Sequence, residues 1–316
     1  MYDVVALGEL LIDFAPKSVD GAGYPTLAAN PGGAPGNFLA ALAKYGRRTA
    51  MIGKVGDDMF GRLLLNTLRE AGIETKGVVV DPGVFTTLAF VSLDASGNRD
   101  FSFARKPGAD TCLRPDELDL SLLKDARVFH FGTLSLTDEP AASATRKAIE
   151  AAKAGGLLVS LDPNLRKPLW KREEDAKAAI EWSLRQADIV KISDEEIEWL
   201  WGVSPEEGTR KLLNEYGVSL VYATLGPKGC RAATRGAAVT VSSPAGIRVV
   251  DTTGAGDIFG GSAMSQFLKY GKAPADLTAE ELTQIVRFAC TAASLSTQKH
   301  GGIGSVPEQA EVERYL

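Results

Sequence analysis

Strand-like and helix-like stretches alternate along most of this chain, and that rhythm admits few architectures. Apolar, β-branched runs at 4–8, 49–55, 128–132, 157–162, 189–192 and 220–225 are interleaved with helix-period stretches at 37–45, 60–71, 141–154, 173–186, 195–201 and 206–216. In the second of those, Leu64, Leu65 and Leu68 fall on one face. Alternation of this kind predicts an α/β fold in which helices cover both faces of a mainly parallel sheet. Ligands of such sheets collect at the carboxyl ends of the strands. Asp162, Lys191, Gly226 and Asp257 all fall at or just after strand-like runs, so they are candidates for one shared site.

The rhythm breaks once. Between 74 and 105 the chain reads as strands at 77–81, 86–93 and 100–104, separated by Pro82-Gly83 and by Ala95-Ser96-Gly97-Asn98, with no helix. Together with 11–14 and 25–28, these runs predict a small antiparallel sheet projecting from the main body. Val78, Val80, Leu88, Phe90 and Val91 are too many apolar residues to leave wet. A lid, a dimer surface, or both, would cover them.

Composition narrows the function. A net charge of −5 and the lack of any Lys/Arg cluster argue against a nucleic-acid surface. No run of 18 apolar residues suggests a membrane span, and the strand-like start at Asp3 leaves no room for a signal peptide. Cys112, Cys230 and Cys290 are scattered without metal spacing, which suits thiols in a reducing cytoplasm. His130 and His300 are the only histidines, which weakens any zinc-hydrolase or Ser-His-Asp reading. Neither a P-loop nor a GxGxxG after the first strand occurs.

Two glycine-rich runs carry chemistry. In Asp251-Thr252-Thr253-Gly254-Ala255-Gly256-Asp257, a β-branched run at 246–250 reads as a strand leading in, and Phe259, Ala263, Phe267 and Tyr270 follow at helical spacing. Unencumbered amides at a helix start form an anion site. An acid there repels phosphate as a ligand but can handle a proton beside it. The same residues also suit a plain helix start. In Asn30-Pro31-Gly32-Gly33-Ala34-Pro35-Gly36-Asn37, the glycines permit close approach of a hydroxyl-rich ligand, and Asn37 both donates and accepts. A Gly-Pro loop with an Asn cap is the plainer reading.

Taken together, the two runs resemble the paired signatures of the ribokinase-like (PfkB) carbohydrate kinase family. The resemblance spans Gly8-Glu9 through Ser305-Val306-Pro307 and is strongest with the fructokinase branch at residues 8–14, 32–37, 103–110 and 161–166. Leu39 and Ser262 stand where the signatures usually carry smaller residues, and Ser193 replaces an Asn of the family's Asn-x-x-Glu metal motif. The resemblance implies a single three-layer α/β/α domain over 1–316, with a lid formed by segments 11–30 and 74–105.

It also implies ATP-dependent phosphorylation of D-fructose at the 6-hydroxyl. Asp257 would be the base, Gly254, Ala255 and Gly256 the anion hole, and Arg166 a contact to the phosphoryl group. Asp13, Gly32, Gly33, Asn37, Phe103 and Arg105 would meet the sugar. Lys191, Ser193, Thr224, Gly226, Gly229, Gly256 and Cys290 would line the ATP site. Glu196 would reach Mg²⁺ through water, and Asp251, Thr253, Ser296, Lys299, Gly301 and Ser305 would hold K⁺. The scattered thiols and the apolar small sheet add the expectation of a cytoplasmic homodimer joined through the lid sheet. Kinases of 2-keto-3-deoxygluconate, ribose or nucleosides share the family's pattern, and a family member that only binds or regulates is the reading from another class.

Overall fold

In the computed structural model, successive residues of β1 (Tyr2–Leu7) feed two separate cores: Val4 and Ala6 join one, Val5 and Leu7 the other, all fully buried. A strand buried on both faces is what a sheet sandwiched by helices requires. The structure describes residues 1–93 and 99–316, so the expected turn Ala95-Ser96-Gly97-Asn98 lies outside the described residues.

After β1 come β2 (Leu11–Val19), β3 (Pro25–Gly32), α1 (Ala34–Lys44), β4 (Thr49–Gly56), α2 (Met59–Glu70), β5 (Ile73–Asp81), β6 (Thr87–Leu93) and β7 (Arg99–Ala104). The middle of the chain forms β8 (Ala126–Gly132), α3 (Ala141–Ala154), β9 (Leu158–Asp162), α4 (Glu173–Leu184), β10 (Ile189–Ser193), α5 (Asp194–Trp201) and α6 (Pro205–Glu215). The last third holds β11 (Leu220–Thr224), β12 (Cys230–Ala233), β13 (Ala238–Val241), α7 (Ala255–Tyr270), α8 (Ala279–Ser296) and α9 (Gln309–Glu313).

Among the described residues, nine strands build the large sheet in the order β13-β12-β11-β10-β9-β8-β1-β4-β5. All neighbours are parallel except at the β11–β12–β13 edge, where two antiparallel steps were not foreseen. One face is covered by α1, α2, α7 and α8 through residues such as Leu42, Leu64, Phe267 and Ile285. The other is covered by α3, α4, α5 and α6 through Ile149, Ile180, Ile197 and Leu212. Each such side chain contributes roughly 1.5–3 kcal/mol on burial, so the three layers hold one another.

The second sheet has the order β3-β2-β6-β7. Two expectations about it need correction. First, residues 73–81 belong to the large sheet, as the edge strand parallel to β4, and not to the small one. The intervening α2 makes a strand–helix–strand crossover that returns β5 beside β4. Second, the small sheet is mixed, since β2 and β6 run parallel (Ile12 opposite Leu88) between two antiparallel pairs. The strands expected at 11–14 and 25–28 are also longer than their apolar cores.

A third expectation fails near the C-terminal motif. Residues 246–250 are irregular rather than a strand, and Val249 is 59% exposed. β-Branched residues fit a strand only where a neighbour pairs with them, and this segment instead sends the amides of Val250 and Asp251 to the carbonyl of Thr297. His130 lies near the end of β8, stacked on Phe38 and 3.0 Å from Ser160 Oγ through Nδ1. Burial drives its pKa down to about 3, so it stays neutral and structural.

Candidate active site

The site grows from the start of α7. Gly254 is its N-cap with φ 76°, a left-handed conformation that L side chains rarely adopt. A Cβ there would also lie 3.1 Å from Asn37 Nδ2. Helix geometry leaves the first amides of α7 without intrahelical acceptors; that of Ala255 donates to the Thr252 carbonyl at 3.2 Å, while those of Gly256 and Asp257 point out of the helix start. They are the anion-binding end of the helix dipole.

Asn37 comes from the other glycine run. The helix α1 begins at Ala34, so Gly33 and not Asn37 is the cap, and Asn37 lies one turn inside. Gly33 has φ 112°, and a Cβ there would collide with the Glu9 carbonyl at 2.3 Å. The Glu9 carboxylate in turn accepts from the Ala34 amide at 2.9 Å and locks this turn. From that fixed start Asn37 Nδ2 donates to Asp257 Oδ2 at 2.9 Å. Loss of solvent around Asp257 pushes its pKa up, while the Asn37 hydrogen bond and the charges of Lys191 and Arg166 pull it back.

The carboxyl ends of β9 and β10 supply the cations. Lys191 Nζ donates to Asp162 Oδ2 at 2.9 Å. Burial disfavours the ammonium, yet Asp162, Glu196 and Asp257 outweigh it and hold the Lys191 pKa up. Asp162 is raised to about 7 by its burial, with Lys191 opposing. The Asn164 amide bonds back to Asp162 Oδ1 at 3.2 Å, which helps hold Asn164 in the left-handed region at φ 48°. Glu196 completes the capping box of α5: its Oε2 accepts from the Ser193 amide at 2.8 Å, and its Oε1 accepts from the Leu165 amide at 2.8 Å. The loop that carries Arg166 is therefore tied to the start of α5.

Two cavities meet here. One, of about 290 Å³, is lined by Asp13, Gly33, Asn37, Phe103, Arg166 and Asp257 among others. The second, of about 620 Å³, is lined by Ser193, Thr224, Gly226, Gly229, Phe259 and Cys290. Lys191, Thr252 and Gly256 border both. Sequence reading thus named most of the smaller cavity's wall but less than half of the larger one's, where it missed Ser243, Ile247, Phe259 and Thr297 among others. It missed Glu9, Leu134 and Asn164, which also line the smaller cavity. The Asp-Pro-Asn turn was the available signal for Asn164, and an acid inside an apolar run was the signal for Glu9.

Arg105 is not on that wall. Its side chain is 4% exposed and pairs with Asp110, with Nε 2.8 Å from Oδ2. Gly32, the last residue of β3, sits opposite Leu11, beside the cavity.

A model of the pfkB family of carbohydrate kinases matches residues 1–309. The chain belongs to this family. Fructokinase-1 of Zea mays is 43% identical over 313 residues, covering 98% of this chain and 96% of that protein. Among solved structures, fructokinase of Xylella fastidiosa with bound ATP is 30% identical with a TM-score of 0.90, covering 100% of this chain and 98% of that one. A double mutant of Vibrio cholerae O395 fructokinase, bound to fructose, ADP and potassium ion, is 32% identical with a TM-score of 0.88, covering 100% and 98%. The three-layer architecture with its small second sheet is accordingly that of a ribokinase-like pfkB kinase.

Two donor sets near the site bear on ion binding. Among the described residues no cluster of three His, Cys, Asp or Glu side chains could cage a metal. Mg²⁺ keeps several waters and needs few carboxylates, so a site completed by nucleotide oxygens and water fits. Asp251 is buried and accepts from the Thr253 amide at 2.8 Å and the Gly301 amide at 3.3 Å, which draws 299–305 against 251–253. Ser305 Oγ and Ser296 Oγ donate to local carbonyls at 2.9 and 2.7 Å, leaving their lone pairs available. A set made of oxygens alone suits a hard monovalent cation.

Proposed function

We propose that the chain is an ATP-dependent fructokinase that phosphorylates D-fructose at the 6-hydroxyl. The observation that carries this reading is the junction of the two cavities: Asp257 faces one, and Lys191, Thr252 and Gly256 border both. A hydroxyl in the smaller cavity and a nucleotide tail in the larger would meet there. The relatives support the substrates, since the Xylella enzyme binds ATP and the Vibrio enzyme binds fructose and ADP.

Asp257 takes the proton of the attacking hydroxyl, and the amides of Gly254, Ala255 and Gly256 hold the charge that develops at the phosphoryl oxygens. Arg166 meets those oxygens with a planar fork, and Lys191 with a point charge. Asp13, Gly32, Gly33, Asn37 and Phe103 orient the sugar. Ser193, Thr224, Gly226, Gly229 and Cys290 form the nucleotide side. Mg²⁺, when bound, would neutralise phosphate charge, and Glu196 would act on it only through water, its oxygens already accepting from Ser193 and Leu165. Asp251, Thr253, Ser296, Lys299, Gly301 and Ser305 would hold K⁺, whose charge would favour an anion at the start of α7. An acidic sugar would need another cation in the cavity, and Arg105 is already committed to Asp110.

The small sheet acts as a lid over the sugar and as a homodimer surface. Val19, Tyr24, Leu27 and Phe90 on its strands and turn are exposed apolar residues that a second copy would cover. Catalysis with these substrates suits a cytoplasmic enzyme. ADP release measured against a panel of free sugars tests the reading. Fructose should be turned over best, and Asp257→Asn should cut the signal by about 10²–10⁴-fold. Preference for 2-keto-3-deoxygluconate, ribose or a nucleoside would replace fructose with that substrate.

A further inference from the structure

Asp110 holds the bases of two strands of the small sheet at once. It lies in a short turn of the main body (Ala109–Cys112), and its side chain is 2% exposed. Its Oδ2 accepts from Arg105 Nε at 2.8 Å and lies 2.7 Å from Arg105 Nη2, just past the end of β7. Its Oδ1 accepts from Thr87 Oγ1, the first residue of β6. The rest of the Arg105 fork reaches Thr137 Oγ1 at 2.8 Å and the Leu134 carbonyl at 2.9 Å. The turn itself is anchored to the large sheet, because Lys54 on β4 donates to the Cys112 carbonyl at 3.0 Å. Main sheet, turn, Asp110 and the two lid strands thus form one chain of buried polar contacts.

Two residues that this chain fixes line the sugar cavity: Leu134, whose carbonyl Arg105 holds, and Phe103, two residues before Arg105 on β7. Glu9, on the same wall, feels the charges of both Asp110 and Arg105. A buried ion pair is a weak device for stability alone, since well-packed apolar groups do as well. What it supplies is direction, because a carboxylate bonded to a guanidinium and a hydroxyl admits one arrangement of the two strands. We propose that Asp110 is a positioning residue of the sugar site, setting through Thr87 and Arg105 where the small sheet places Phe103 and how Arg105 holds Leu134, in the turn after β8. This rests on the assignment of the cavity to a sugar substrate.

The test compares wild type, Asp110→Asn and Thr87→Val, using whichever free sugar the wild type accepts. Wild-type inactivity on fructose alone would count against the fructose reading and leave this comparison intact with the accepted sugar. The expected result is a rise in sugar KM of at least about tenfold for Asp110→Asn, the scale of losing one charge-assisted hydrogen bond. The KM for ATP should stay within about twofold, the limit for a contact absent from the nucleotide site. ADP released per sugar phosphate formed should also rise, because a misplaced lid admits water to the phosphoryl group. Thr87→Val is near-isosteric and carries the same test if Asp110→Asn does not fold. Folded variants with lower melting temperatures but unchanged sugar KM and unchanged coupling would reduce Asp110 to a structural residue and overturn the proposal.

Discussion

Asn37 and Asp257, 220 positions apart, are joined by a 2.9 Å hydrogen bond from the Asn37 amide to a carboxylate oxygen. Asn37 Oδ1 is buried without a donor among the described residues. The amide orientation therefore follows the carboxylate: turned over, its oxygen would face the Asp257 charge. The bond stabilises the ionised form of Asp257, which is the form a general base must have.

It follows that Asn37→Ala should move the acid limb of the kcat/KM profile to higher pH. The sign is set by the cause, since removing a donor to the carboxylate leaves burial less opposed and raises the Asp257 pKa further. Other charges facing Asp257 are Lys191 and Arg166, which lower its pKa and remain in the variant. Asp162 is near enough to couple to it. An acid limb that stays in place while only sugar KM rises would make Asn37 a sugar contact and nothing more.

Asp257→Asn should bind ATP and sugar but lose about 10²–10⁴-fold in kcat, the usual effect of removing a positioned base. Calorimetric binding beside single-turnover kinetics separates the two. Near-normal turnover would remove the base assignment.

Arg166→Ala should lower kcat more than it raises sugar KM, because its proposed partner is the phosphoryl group in flight. Glu196→Gln probes the same loop from behind, where Glu196 Oε1 holds the Leu165 amide. A change confined to sugar KM in Arg166→Ala would transfer that residue to the sugar wall.

Glu9 makes stability depend on pH. Burial raises its pKa from 4.5 to about 7. The folded state thus binds more protons than the unfolded between those values, and Glu9 costs stability as pH rises through that window, up to about 3 kcal/mol. Glu9→Gln removes the charge and keeps an acceptor for Ala34. Its melting temperature relative to wild type should climb between pH 5 and pH 8. A constant difference across that range would show that Glu9 does not titrate there.

Tyr24→Glu with Leu27→Glu should give a monomer if the small sheet joins two copies. Sedimentation at micromolar concentration reads this directly. A wild type that is already monomeric would withdraw the dimer while leaving the lid to be judged by sugar-free and sugar-bound crystals.

What the sequence by itself determined is what local chemistry determines. Period-2 and period-3.6 patterns placed the α/β alternation, with shifts of a few residues at element ends. Successive glycines beside Asn37 and Asp257 marked the turns that a ligand could approach. These signals are local because backbone conformation, helix caps and turn residues depend on neighbours in the chain.

Tertiary structure alone decided which strands pair and which side chains meet. Residues 77–81 and 86–93 read alike as strands, yet the first belongs to the strand that closes the edge of the large sheet and the second pairs in parallel with β2. Residues 246–250 have strand chemistry and no strand beside them. Arg105 looked like a hand extended to the sugar, but Asp110, five residues on, takes its guanidinium. Hydrogen bonds form only within about 3 Å, and which donor comes that close is settled when β-sheet register, helix packing and the loops between them have all been set.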